Sequence, residues 1–186
     1  MPNWVYNKLV VTVKTEHKNE LEKFIGFACG KGWSIHATEV APFDFNKFIP
    51  YPERFLVIDR ALDEWVKQNP DKDIWSQAPI KDSYNSGGYD WCIANWGTKW
   101  NAGFVKDRGI EQFRLTKDRK KVTYKFDTAW APPLPVILKA SEMFPNLKFR
   151  LDYDEETGWG GTDIFIGGES KYHDEYEGNE GDEEET

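Results

Sequence analysis

Val5, Leu9, Val11 and Val13 share one parity, broken only by Asn7, while Trp4, Tyr6, Lys8, Val10 and Thr12 share the other. This alternation predicts a strand over residues 3–14 with one buried face. The period then changes. Leu21, Phe24, Ile25 and Ala28 fall at i, i+3, i+4 and i+7, so residues 15–29 predict a helix with Thr15 as N-cap and Gly30 just past its end. Residues 31–109 lose regularity under Pro42, Pro50, Pro52, Pro70 and Pro79. Within them, residues 59–68 predict a short helix presenting Leu62, Trp65 and Val66, and residues 83–88 predict a mobile, glycine-rich loop.

Regularity returns with a predicted hairpin, strands 110–115 and 121–128 around the turn 116–120. Prolines 132, 133 and 135 suit the loop and first turn of a helix running to about Phe144. Leu147, Phe149, Leu151 and Tyr153 alternate with Lys148, Arg150 and Asp152, a further strand. Residues 155–158 predict a turn and residues 159–167 a last strand. The order strand, helix, insertion, strand, strand, helix, strand, strand predicts an α+β, ferredoxin-like split βαβ sandwich. An antiparallel sheet would carry two helices on one face, a large Trp/Pro-rich insertion at about residues 31–109, and an extra C-terminal strand. Residues 1–168 form the single expected domain.

Composition changes this picture in two places. Aromatic residues make up 16% of 186 residues, so rings must supply much of the core. Net charge is −8, yet residues 169–186 carry nine acids against one base and residues 1–168 are balanced. The acidity is therefore an appended feature, and residues 169–186 are expected to form a disordered acidic tail. Such a tail either solubilises or imitates a polyanion, and Tyr172 and Tyr176 add rings that a solvating tail does not need. No apolar run is long enough to cross a bilayer, and the first residues do not resemble a secretion signal. Two cysteines make a disulfide framework improbable, so the expectation is a reducing cytoplasm, with no membrane partner.

Residues 88–102 concentrate the candidate chemistry. Three of nine tryptophans, Trp91, Trp96 and Trp100, alternate there with Asn95, Thr98, Lys99 and Asn101. Two readings stand open: a buried clasp with paired indole N–H groups, or a pocket for a small, flat, anionic ligand. In the pocket, Lys99 supplies charge, Trp96 or Trp100 a stacking surface, and Asn95, Thr98 and Asn101 hydrogen bonds.

A second candidate surface is the outward parity of the sheet. Trp4, Tyr6, Lys8, Lys125, Lys148 and Arg150 would place rings and bases together, the arrangement on which ferredoxin-like RNA readers stack bases. Either that face is a stacking platform, or the insertion covers it. A neutral body argues against nucleic acid. No catalytic set stands out. His17 falls on an exposed helix face, His173 in the tail, and only His36 has an internal setting. Cys29 and Cys92 lack companions at ligand spacing, so no metal and no cofactor are expected. Gly158-Trp159-Gly160-Gly161 sits between strands and reads as a turn or bulge rather than a dinucleotide fingerprint.

Met1-Pro2-Asn3-Trp4, Ile49-Pro50-Tyr51-Pro52, Gly88-Tyr89-Asp90-Trp91-Cys92, Trp96-Gly97-Thr98-Lys99-Trp100-Asn101 and Thr128-Ala129-Trp130-Ala131-Pro132-Pro133 occur in that order. With these blocks residues 1–168 resemble the YubB-type family, which has a ferredoxin-like domain and is borne mostly by phages and plasmids. Where many members carry a Cys after the first Trp, this chain has Val5. The resemblance implies the ferredoxin-like fold and a mobile-element origin, and it brings no catalytic site. The resulting expectation is a non-enzymatic accessory binding protein in a bacterial host, a counter-defence factor that binds a host protein or a nucleotide-like ligand. A nucleic-acid module using the open sheet face is the alternative, and a small-molecule enzyme with Asp90, Lys99 and Asn101 in a cleft is the second.

Overall fold

The computed structural model describes residues 3–30, 40–73, 77–104 and 111–177. Strand β1 (Trp4–Val13) leads through a 3-10 turn into helix α1 (Lys18–Ala28). Helices α2 (Glu53–Gln68) and α3 (Gly88–Trp96) belong to the insertion. Then come β2 (Phe113–Leu115), β3 (Lys121–Ala129), α4 (Leu134–Met143), β4 (Leu147–Glu155), β5 (Gly160–Ile166) and β6 (Glu169–Tyr176). All six strands form one antiparallel sheet in the order β2-β3-β1-β4-β5-β6. The first four positions, 2-3-1-4, are the ferredoxin-like order, and the β5–β6 hairpin extends it. The strand that completes the scaffold after the insertion is β2. The expected fold class stands.

The period-2 pattern of β1 has a direct structural result. Val5, Leu9 and Val11 are fully buried beneath α1 and α4, together with Val122 and Tyr124 of β3 and Phe149 and Leu151 of β4. Phe24 of α1 is the hub, with ring centroids 5.3 Å from Phe144 and from Phe149. Each buried ring contributes about 1.5–3 kcal/mol of hydrophobic stabilisation.

The insertion uses this same face. Phe43 lies 5.5 Å from Tyr124 and 5.6 Å from Phe126, and Phe45 lies 6.0 Å from Phe126. Among the described residues, these phenylalanines therefore pack on the helix side, while Trp100 of the insertion reaches Trp4 of the outward parity at 5.8 Å. The phenylalanines prolong the helix-side core along β3, where α1 and α4 leave apolar surface uncovered. Tyr6, Lys8, Lys125, Lys148 and Arg150 all remain exposed.

Several boundaries differ from expectation. Thr15 does not cap α1; residues Thr15–His17 form a 3-10 turn and the helix starts at Lys18 without a side-chain cap. Helix α2 begins at Glu53, six residues before its expected start at Asp59. The loop expected over residues 83–88 is a 3-10 turn that runs through Gly87 into α3. Helix α3 is bracketed by Gly87 at φ 103° and Gly97 at φ 78°, conformations that glycine adopts without a Cβ clash. Residue 110, expected in β2, lies outside the described residues, as do residues 31–39 with His36.

The largest correction concerns residues 169–186. Glu169–Tyr176 are strand β6, paired with β5 along its length. Gly167 and Gly168, at φ 60° and 79°, form the two-residue turn of a tight hairpin. Residues 178–186 lie outside the described residues. The exposed edge strand carries Glu169, Lys171, Asp174 and Glu175, charges that oppose edge-to-edge pairing with another chain.

Candidate functional site

The tryptophan segment is first of all a clasp. Trp96 is 1% exposed and its indole N–H donates to the Ile49 carbonyl at 2.8 Å. Its ring meets Trp91 at 5.4 Å and Phe45 and Tyr51 at 5.8 Å. The neighbouring polar groups serve the protein itself. Thr98 donates its hydroxyl to Ala129 O at 2.8 Å, and Asn95 donates its amide to Trp91 O at 2.9 Å. Asn101 accepts from the backbone N–H groups of Phe45 and Ala102 and donates to Asp44 at 2.7 Å. Of the six residues expected around a pocket, Asn95, Trp96, Thr98 and Asn101 are held in this way. Cys92 is buried in α3, and desolvation pushes its thiol up to about 12, which leaves it unreactive at neutral pH.

Lys99 and Trp100 differ. The Lys99 ammonium stands over four rings: Trp130 at 4.3 Å, Trp100 at 4.8 Å, Tyr84 at 5.8 Å and Tyr89 at 6.0 Å from their centroids. Trp100 leans on Trp4 at 5.8 Å, and Tyr89 meets Tyr84 at 5.3 Å and Trp130 at 5.9 Å, edge to face. Burial raises the Tyr84 hydroxyl to about 12, so it stays protonated. Of these partners, Tyr84, Tyr89 and Trp130 were not among the expected site residues. Their convergence on Lys99 depends on the path of the insertion, which periodicity does not encode.

The outer sheet face is the second surface. Register places its side chains in rows across the strands. Arg114, Thr123, Val10, Arg150, Ile164 and Tyr172 make one row from edge to edge. Lys121, Thr12, Lys148 and Ile166 flank it on one side, and Lys125, Lys8, Asp152, Thr162 and Asp174 on the other. Beyond these the row through Tyr6 brings Asp127 and Asp154. Bases therefore gather at the Thr12 end and acids at the Trp4 end. Arg150 is tied to Asp152 at 2.8 Å and Tyr176 donates to Asp154. The six residues expected on an open face do share it, with Trp4 drawn aside toward Trp100.

A third cluster went unseen in the sequence, because His173 fell in the expected tail. Asp163 of β5 is 3% exposed and accepts from His173 Nδ1 at 2.9 Å. The Tyr153 hydroxyl lies 3.2 Å from Asp163 and 3.1 Å from Glu175. A hydroxyl has one proton, so it serves one carboxylate at a time. The hydrogen bond and charge of Asp163 raise the His173 pKa, and burial raises that of Tyr153. Among the described residues no group of three metal-ligating side chains occurs.

Residues 95–186 match the model of the ferredoxin-like domain in Api92-like protein. The match spans β2 to β6, while β1, which lies between β3 and β4 in the sheet, precedes it. Among solved structures, the crystal structure of a protein api92 from Yersinia pseudotuberculosis is similar at 12% identity and a TM-score of 0.49. That likeness covers 95% of this chain and 99% of the other. No curated protein matches the chain. Among the described residues no helix is long and apolar enough to cross a membrane.

Proposed function

We propose that the protein is a non-enzymatic binding module that takes a single-stranded nucleic acid on the outer face of its sheet. The observation that carries this reading is the uncovered face. Phe43 and Phe45 of the insertion pack on the helix side, and the rows through Val10, Thr12 and Lys8 keep Arg114, Lys121, Lys125, Lys8, Lys148 and Arg150 exposed in one band. Tyr172 ends the central row and is 49% exposed. Bases that track a phosphate backbone, with a ring on which a base stacks, are what such binding needs. The YubB-type resemblance supplies a setting, a phage- or plasmid-encoded accessory factor acting against a host defence in the bacterial cytoplasm.

Fluorescence anisotropy with labelled single-stranded RNA and DNA tests this. The native protein should bind at low salt, and affinity should fall steeply as salt rises. The double variant Lys125→Ala/Lys148→Ala should bind roughly tenfold more weakly with a shallower salt slope. No binding by the native protein at low salt would sink the proposal.

The division of charge favours a second reading, in which the partner is a host protein with complementary charge at both ends. Under it, Asp154→Lys should weaken capture of that protein. Under the nucleic-acid reading the same variant should bind the strand as well or better.

A further inference from the structure

The four rings around Lys99 have a geometry that outruns a structural need. Trp130 is 44% exposed and sits at φ 74°, a left-handed conformation that strains a residue with a Cβ. Its backbone is held there by donation to Asn3 O at 2.9 Å. The Thr98 hydroxyl and the Lys99 N–H both reach Ala129 O, at 2.8 and 3.4 Å, so the backbone at the base of the lysine is fixed and its four-carbon stem is the adjustable part. The rings face a cation at 4.3–6.0 Å, within the range of cation–π attraction.

The occupant fits this cage poorly. A primary ammonium has three N–H donors. Among the described residues, none accepts a hydrogen bond from the Lys99 ammonium and none pairs with it as a carboxylate. A cation with no N–H to satisfy and a weaker hydration shell gains the ring attraction without that loss. Charge at the rim points the same way. The Asp82 carboxylate lies close enough to act on the Tyr84 hydroxyl.

We infer that Tyr84, Tyr89, Trp100 and Trp130 form a cage for a quaternary or fully N-methylated ammonium group, and that Lys99 is a displaceable plug within it. The inference stands apart from the nucleic-acid reading, because its ligand is a cation and its residues lie off the basic rows.

The test uses the full chain with tetramethylammonium chloride and trimethyl-lysine as probes, against potassium chloride at equal ionic strength. Binding is followed by tryptophan fluorescence and by the indole N–H resonance of Trp130. The native protein should bind weakly. Lys99→Ala should bind roughly tenfold more tightly, since the competitor is gone, with Lys99→Gln as a second variant should the alanine protein fold poorly. Trp130→Ala should lose binding in both backgrounds. Unchanged or weaker binding of both probes by a folded Lys99 variant overturns the plug. So does binding of adenosine monophosphate that disappears with Lys99, which would make the lysine the ligand group. No nucleic acid strand enters the experiment, so its failure and that of the open-face reading are separable.

Discussion

Asn101 joins two segments of the insertion through one side chain: its carbonyl takes the N–H groups of Phe45 and Ala102, and its amide meets Asp44. Asn101→Ala leaves two buried N–H donors without an acceptor and should cost about 2–4 kcal/mol in denaturant unfolding. Tyr124 presents the opposite case. Its hydroxyl is buried with no hydrogen-bond partner, and desolvation pushes its pKa upward. Tyr124→Phe should therefore leave stability unchanged or raise it by about 1 kcal/mol. A loss in the same assay would point to a partner for the hydroxyl. The clasp role of Trp96 was legible in sequence, because an indole among many rings needs both burial and an acceptor. The role of Asn101 was not. Polar groups between tryptophans look the same whether they await a ligand or satisfy their own backbone.

Each element inherits these residue-level constraints. The β5–β6 hairpin was written in Ile166-Gly167-Gly168-Glu169, where two glycines separate two runs, but the second run is charged and poor in apolar residues, so composition argued for disorder. An edge strand needs no buried face of its own once the turn sets its register. His173 ties that strand to buried Asp163. Its folded pKa is raised above the ordinary 6.5, so the stabilisation is fully present below that value and is lost as pH rises through the folded pKa. Amide exchange in β6 should therefore quicken as pH climbs through that window, beyond the intrinsic pH effect. An identical profile in His173→Gln would exclude the histidine as its source. Helix α3 is constrained sterically at its end. A Cβ on Gly97 would lie 2.7 Å from Pro135 Cδ, at a φ of 78°. Gly97→Ala should lower the melting temperature by several degrees, on the order of 2 kcal/mol.

At the scale of the molecule, the ferredoxin-like order was legible because period 2 and period 3.6 succeed one another cleanly outside residues 31–109. Which side the insertion would take was not, since parity says that a strand has two faces and not what covers each. The charge distribution is a whole-molecule property too. Five acids fall in residues 180–185. If they compete for the basic rows, truncation after Glu177 should tighten nucleic-acid binding at low salt, and the difference should vanish at high salt. The sheet order has one more outcome. Strand β1 comes first in the chain yet lies between β3 and β4, whose pairing residues extend to Glu155. Both edges of β1 are therefore paired through contacts far apart in sequence, and their loop-closure cost comes early in folding. Refolding from denaturant should accordingly be slow for a domain of this size, and stopped-flow tryptophan fluorescence checks it.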